Sequence, residues 1–273
     1  MLTTLDYLLL LFFGMCGAFL SGFLGVGGGM IYIPVLDYFL RRLGLQDEML
    51  VKAILANSLF TIIFSGSVSS WKQYRIGNFY PREILLTALP GMATALSLTW
   101  LIRSGDWYSK QLFNYVFALM LLVIAVRMFS ANQEIGVEKE APNWKYRITG
   151  LFAGIITAFS GLGGGVVMTP LFTDWMKQPF KKAGSISNGV IPLFAITMGI
   201  FNLSVPAGAP LMKGQIGLIF LPLLAPMILA TFVFAPLGVK IAQKTKPGVI
   251  RLIFAIFTGI VLTKLIVEIV QHP

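Results

Sequence analysis

Gly25-Val26-Gly27-Gly28-Gly29-Met30-Ile31-Tyr32-Ile33-Pro34 is a glycine cluster set inside a long apolar run. Gly161-Leu162-Gly163-Gly164-Gly165-Val166-Val167-Met168-Thr169-Pro170 repeats it half a chain later. After proline, glycine is the residue a helix interior tolerates worst. Two such interruptions in matching places, each followed by a proline, predict one broken helix in each half of a duplicated chain. Pairing without gaps matches Gly14 with Gly150, Phe23 with Phe159, Gly25 with Gly161, Gly27 to Gly29 with Gly163 to Gly165, and Pro34 with Pro170.

The surroundings decide the class. The chain has 273 residues, is 56% hydrophobic and only 12% charged, against about 25% charged residues in an ordinary soluble domain. That composition predicts an all-α integral membrane protein. Apolar segments fall at 5–40, 50–70, 79–102, 111–130, 147–176, 184–204, 214–242 and 249–270. Since roughly 20 apolar residues cross a bilayer, they predict about eight transmembrane helices in two homologous four-segment repeats. Residues 1–132 form the first repeat, 133–145 a polar linker with Glu134, Glu138, Lys139 and Glu140, and 146–273 the second repeat.

The first segment of each half is too long for one simple crossing, so a helix, a break at the glycines and a second short helix fit better. If every segment crosses once, the halves run parallel. If the short helix re-enters instead, they are inverted, and the sequence leaves both arrangements open. Residues 1–13 lack a basic region and no small-residue cleavage site follows, so no cleavable leader is expected. Alternate loops differ little in Lys and Arg, with a bias that places both termini outside.

The residue inventory removes most chemistry. Cys16 is the one cysteine and His272 the one histidine. A multi-cysteine metal site, a histidine cluster and a Ser-His-Asp triad are therefore not available. No enzyme activity, metal or cofactor is expected. The net charge of +10 is spread between apolar segments rather than gathered into a nucleic-acid-binding face. It suits lipid headgroups and an anionic substrate. Gly22-Phe23-Leu24-Gly25-Val26-Gly27 sits in a transmembrane setting, and no Gly-Lys-Ser/Thr follows either cluster, so nucleotide binding is not expected.

What remains is binding. Gly25, Gly27, Gly28 and Gly29, with Gly161, Gly163, Gly164 and Gly165, let backbone N–H groups approach a ligand closely. A short helix beginning after each cluster points its positive end at the break, which favours an anion. Asn57, Ser58, Thr61 and Ser65 recur at helical spacing; Ser185, Ser187, Asn188 and Thr197 are their sparser counterparts, and Ser21 and Ser160 precede the breaks. Such side chains serve either as ligand donors or as hydrogen bonds that hold the bundle. Pro34 and Pro170 mark the structural breaks. Asp37 and Asp174 follow them as either ion sites or interfacial acids, and Arg127, Lys264 and Glu268 read as snorkelling side chains near segment ends. Tyr32, Trp71, Tyr74, Tyr80, Trp100, Trp107, Tyr108, Trp144 and Trp175 read as an interfacial aromatic belt.

Around Gly22 to Pro34 and Ser160 to Pro170 the chain resembles the sulfite exporter (TauE/SafE) family of membrane permeases. Those proteins have two homologous halves, each opening on a long apolar segment with a Gly-rich break and a proline. The resemblance implies transport of small sulfur-containing anions, such as sulfite or sulfonates, across the inner membrane. The motif maps onto Gly25, Gly27 to Gly29, Pro34, Gly161, Gly163 to Gly165 and Pro170. The expected mechanism is alternating access, with the backbone at the breaks and Asn57, Ser58, Ser187 and Asn188 holding the anion. An anion channel of the same fold is the first rival, and a membrane assembly factor or enzyme the second.

Overall fold

A computed structural model describes residues 2–105, 107–130, 141–203 and 212–271. Most of the expected linker, with Glu134, Glu138, Lys139 and Glu140, lies outside the described residues, as does His272. The side chains of Arg127 and Glu268 are likewise outside them. The described residues form ten α-helices: α1 Thr4–Leu24, α2 Gly29–Arg42, α3 Asp47–Arg75, α4 Pro81–Ser104, α5 Lys110–Ser130, α6 Asn143–Ser160, α7 Gly165–Pro170, α8 Phe180–Leu203, α9 Leu221–Lys244 and α10 Pro247–Gln271. A π-helical turn, Leu171–Trp175, prolongs α7, and a two-stranded hairpin, β1 Gln215–Ile216 and β2 Ile219–Phe220, precedes α9.

Helices α1, α3, α4, α8 and α9 are long and apolar enough to cross a membrane; shorter apolar stretches, Lys110–Val123 and Thr258–Val267, lie within α5 and α10. The hairpin is a departure from the sequence reading, which runs 214–242 as one apolar segment. Gly214 and Gly217 have φ of 84° and 56°, values open to glycine at little cost, and they turn the chain back before α9 begins.

Thr3 and Asp6 start α1 with a reciprocal cap: Asp6 N donates to Thr3 Oγ1 at 3.3 Å and Thr3 N to Asp6 Oδ2 at 2.8 Å. At its other end Gly25 adopts φ 70° and its N–H bonds Ser21 O. Helix α2 then returns alongside. Its last residue, Arg42, donates to Asp6 Oδ1 at 2.8 Å, so the end of α2 lies beside the start of α1. The second half repeats the device. Gly161 ends α6 at φ 69°, and the end of the π turn comes back to the start of α6. There the Trp144 and Trp175 rings meet edge to face at 5.5 Å and Lys145 Nζ reaches Trp175 O at 3.5 Å. Each long first segment is therefore a helical hairpin with glycines at its tip.

The two hairpins enter from opposite ends of the bundle. The near end holds the starts of α1, α3 and α5 and the ends of α2, α4 and α8. Asp37 of α2 pairs there with Lys110 of α5 at 2.9 Å. The far end holds the starts of α4, α6 and α8 and the ends of α3 and α9. There Arg82 bonds Asn143 at 3.3 Å, Lys182 faces Glu83 at 3.9 Å, Gln243 bonds Gln73 at 3.3 Å, and the Ser185 hydroxyl donates to Asn78 O. Neighbouring helices follow the same exchange. Helix α1 packs along α9, α4 along α6, α3 against α8 and α5 against α10. Small residues allow the closest of these approaches. A Cβ on Gly22 would strike Ala235 O, and one on Gly150 would strike Thr87 O.

Most of the expected belt aromatics are exposed, Trp71, Trp100 and Trp144 among them. Two are not. Tyr32 is fully buried, its ring lying where a Cβ on Gly17 or Gly28 would stand. Tyr108 is also buried and donates to Phe159 O at 2.7 Å, bracing the end of α6.

Candidate functional site

The hairpin tips meet opposite the middle of α3. Gly27, Gly28, Gly163 and Gly164 have φ of 88°, 76°, 75° and 74°, a left-handed path that costs other residues roughly 1–2 kcal/mol each. Gly28 and Gly164 stand as N-caps of α2 and α7 without a side-chain cap, so the first N–H groups of both helices face the break with no intrahelical acceptor. The two tips also touch. A Cβ on Gly29 would lie 3.0 Å from Gly161 O and 3.0 Å from Leu162 Cα. One on Gly165 would lie 2.8 Å from Val26 Cα and strike Gly25 O. Ile62 of α3 and Ile191 of α8 wall this junction from two sides, each within 3.5 Å of Cβ positions on Gly27 and Gly163.

The polar residues singled out by spacing divide into two groups. Ser58 Oγ donates to Gly161 O at 2.9 Å and Ser65 Oγ to Gly27 O at 3.2 Å, so α3 holds both tips by their carbonyls. Asn57 has turned to the β-hairpin: Nδ2 donates to Ala53 O and Leu218 O, each at 2.7 Å, and Phe220 N donates to Oδ1 at 2.8 Å. Its amide is spent on fold, which differs from the expectation of a ligand donor. Thr61 Oγ1 bonds Asn57 O, and Ser187 and Thr169 share a hydroxyl contact at 3.2 Å. Ser160 Oγ donates to Ile156 O and accepts from Leu162 N. Asn188 and Ser21 are different. Asn188 is 1% exposed with neither amide atom partnered, and Ser21 is fully buried with its hydroxyl unpartnered. They flank the same contact: Ser21 precedes Gly25 by one turn of α1, and Asn188 follows Gly184 by one turn of α8, and a Cβ on Gly25 would lie 2.8 Å from Gly184 O.

Pro34 and Pro170 both lie within the helices that follow the breaks rather than at them. Asp37 lies at the near end as a paired acid. It is 6% exposed and held between Arg41 at 3.1 Å and Lys110 at 2.9 Å. Asp174 accepts from Thr173 Oγ1 at 3.1 Å in the π turn. Lys264 reaches Pro34 O at 3.4 Å, so it braces α2.

Two clefts open near the junction, both toward the near end. One is narrow and runs along α2 past Pro34, Asp37, Lys110, Asn114 and Lys264. The other is a narrow cleft among α3, α4, α6 and α8, where Lys52, Leu55, Thr99, Arg103 and Asn202 line it. Leu55 also closes on the Gly161 tip, where a Cβ would lie 2.9 Å from its Cδ2. Sequence spacing missed Thr99, Arg103, Asn114 and Asn202. Each reads as an isolated polar residue near a segment end, and only the packing of separate helices gathers them.

A family model described as Sulfite exporter TauE/SafE matches residues 10–265. A "Probable membrane transporter protein" of Methanocaldococcus jannaschii is 25% identical over 257 residues, covering 92% of this chain and 92% of that protein. One of Haemophilus influenzae with the same description is 26% identical over 257 residues, covering 93% of this chain and 96% of its own length. A second Haemophilus influenzae protein so described is 22% identical over 258 residues. No solved structure matches.

Proposed function

The chain belongs to the sulfite exporter TauE/SafE family, a family of membrane transporters, and on that premise we propose that it moves small sulfur-containing anions across the membrane by alternating access. One observation carries the reading: two helical hairpins entering from opposite ends present glycine tips and uncapped helix starts to each other, opposite the middle of α3. Broken helices that meet between inverted halves are where secondary transporters bind substrate, with helix N-termini turned toward anionic groups. Asn188 and Ser21, buried and unpartnered, supply the side-chain hydrogen bonds there, while Ser58 and Ser65 keep the tips in place.

We read residues 1–132 and 146–273 as two repeats of opposite direction. Each has one helical hairpin followed by three crossing helices: α3, α4 and α5, then α8, α9 and α10. The exchange of partners between halves supports this, because the first helix of each packs along the third element of the other. It replaces the count of about eight crossings with six and two re-entrant hairpins. Inversion also sharpens the charge distribution. Among the described side chains, Lys72, Arg75, Arg82, Lys145, Arg147, Lys177, Lys181, Lys182, Lys240, Lys244 and Lys246 fall at the far end, and Arg41, Arg42, Lys52, Arg103, Lys110, Lys213 and Lys264 at the near end. By the positive-inside tendency the far end is cytoplasmic, and both clefts open to the outside.

Flux tests the function. Purified protein in liposomes loaded with unlabelled sulfite is expected to take up radiolabelled sulfite from outside, saturably and faster than empty vesicles do. Linear, unsaturable conductance would assign a channel instead, and no protein-dependent flux of sulfite or any sulfonate would overturn the anion reading.

A further inference from the structure

Resting on the anion-transport reading, we propose that the cleft among α3, α4, α6 and α8 is an oxyanion-binding site, and that its ligand carries a hydrogen-bond donor of its own. Three buried polar groups there lack partners. Arg103 Nη1, Thr99 Oγ1 and Asn202 Oδ1 are each buried with no hydrogen bond, and Thr99 and Asn202 are only 7% and 2% exposed. A buried group left this way costs about 1–3 kcal/mol, and three around one cleft are a demand for a ligand. Lys52, on the second turn of α3, adds a second cation to the lining, and no acidic side chain lines the cleft among the described residues.

The chemistry of the orphans defines the ligand. Arg103 only donates, so it takes a charged oxygen, with charge-assisted hydrogen bonds stronger than neutral ones. Thr99 donates or accepts. Asn202 Oδ1 only accepts, so it takes a hydroxyl or amine proton from the same molecule. The rest of the lining is apolar, Leu55, Leu59, Ile102, Ala158 and Met198, and would pack against the carbon side of the ligand. The guanidinium is braced against the Phe201 ring at 5.6 Å, which fixes its plane without using its donors. The site sits one helix turn from the Gly161 tip, at the near end, where an anion meets it before the junction.

A matched pair of probes tests this: isethionate, a sulfonate with a hydroxyl, and ethanesulfonate, which lacks it. Titration calorimetry on the purified protein in maltoside micelles is expected to give roughly 10-fold tighter binding of isethionate, the value of one satisfied buried acceptor. Arg103→Gln is expected to weaken both ligands about 10-fold or more, and Asn202→Leu to erase the difference between them. Should Arg103→Gln fail to fold, Lys52→Gln and Thr99→Val carry the same test. Unchanged affinities in these variants, or wild-type protein that binds neither sulfonate, would overturn the site while sulfite flux still judges the transport reading. Arg103-dependent binding without any flux would uphold the site and sink that reading. A glycerol phosphate headgroup has the same chemistry, so the titration is repeated with phosphatidylglycerol in the micelles. Isethionate affinity that does not change supports a soluble anion, and displacement by the lipid overturns it.

Discussion

Gly165→Val is expected to be among the most damaging single substitutions in the chain. Any Cβ at this position runs into Gly25 O and the Val26 backbone, and backbone at the opposing tip has no rotamer with which to yield. Overpacking typically costs about 1–3 kcal/mol and more where nothing relaxes. The β-branched side chain adds to this. At about 2–4 °C per kcal/mol for a chain of this order, the melting temperature is expected to fall by roughly 5–10 °C, with sulfite flux lost even where folded protein is recovered. Gly184→Ala is the matched control: it lies in α8 with nothing within 4 Å of its Cβ position, and is expected to be neutral or slightly stabilising. Equal melting temperatures for Gly165→Val and wild type would mean that the tips do not touch.

Asn57→Leu is expected to cost nearly as much, for a different reason. Leucine has a similar shape but cannot bond the β-hairpin. Leu218 O and Phe220 N would be left buried without partners, and each orphan costs about 1–3 kcal/mol. Ser58→Ala removes a single hydrogen bond, to Gly161 O, worth about 1 kcal/mol. The ratio of the two effects is the readout, by thermal denaturation in the same detergent. A smaller loss for Asn57→Leu than for Ser58→Ala would show that Asn57 is not the clamp of the hairpin.

These two residues also mark what the sequence could and could not show. The glycine clusters were legible because an interruption of apolar periodicity needs no partner to be seen, and the same holds for the polar face of α3. What that face touches was not legible. Ser58 bonds a carbonyl freed by the break at Gly161, and Asn57 bonds a hairpin at Leu218 and Phe220, contacts made only once distant segments pack. Direction was hidden for the same reason. That α2 turns back shows only in contacts such as Arg42 reaching Asp6, and continuing or turning back share one hydropathy profile. The near-even charge count followed from that ambiguity, because assigning every segment a crossing separates Lys181, Lys182 and Lys240 from Lys72, Arg75 and Arg82, which the bundle holds at one end. Arg103 and Asn202 escaped notice because a lone polar residue near a helix end is ordinarily a snorkelling one.

The transport reading depends on α1 and α6 entering from opposite ends. The direct measurement is single-cysteine labelling in intact cells, in a Cys16→Ser background, with a membrane-impermeant maleimide applied from outside. Cysteine placed at Thr3 is expected to label fully and cysteine placed at Asn143 only after the membrane is permeabilised. Both sites labelling from the same side would contradict the inverted arrangement, and with it the meeting of the two glycine tips.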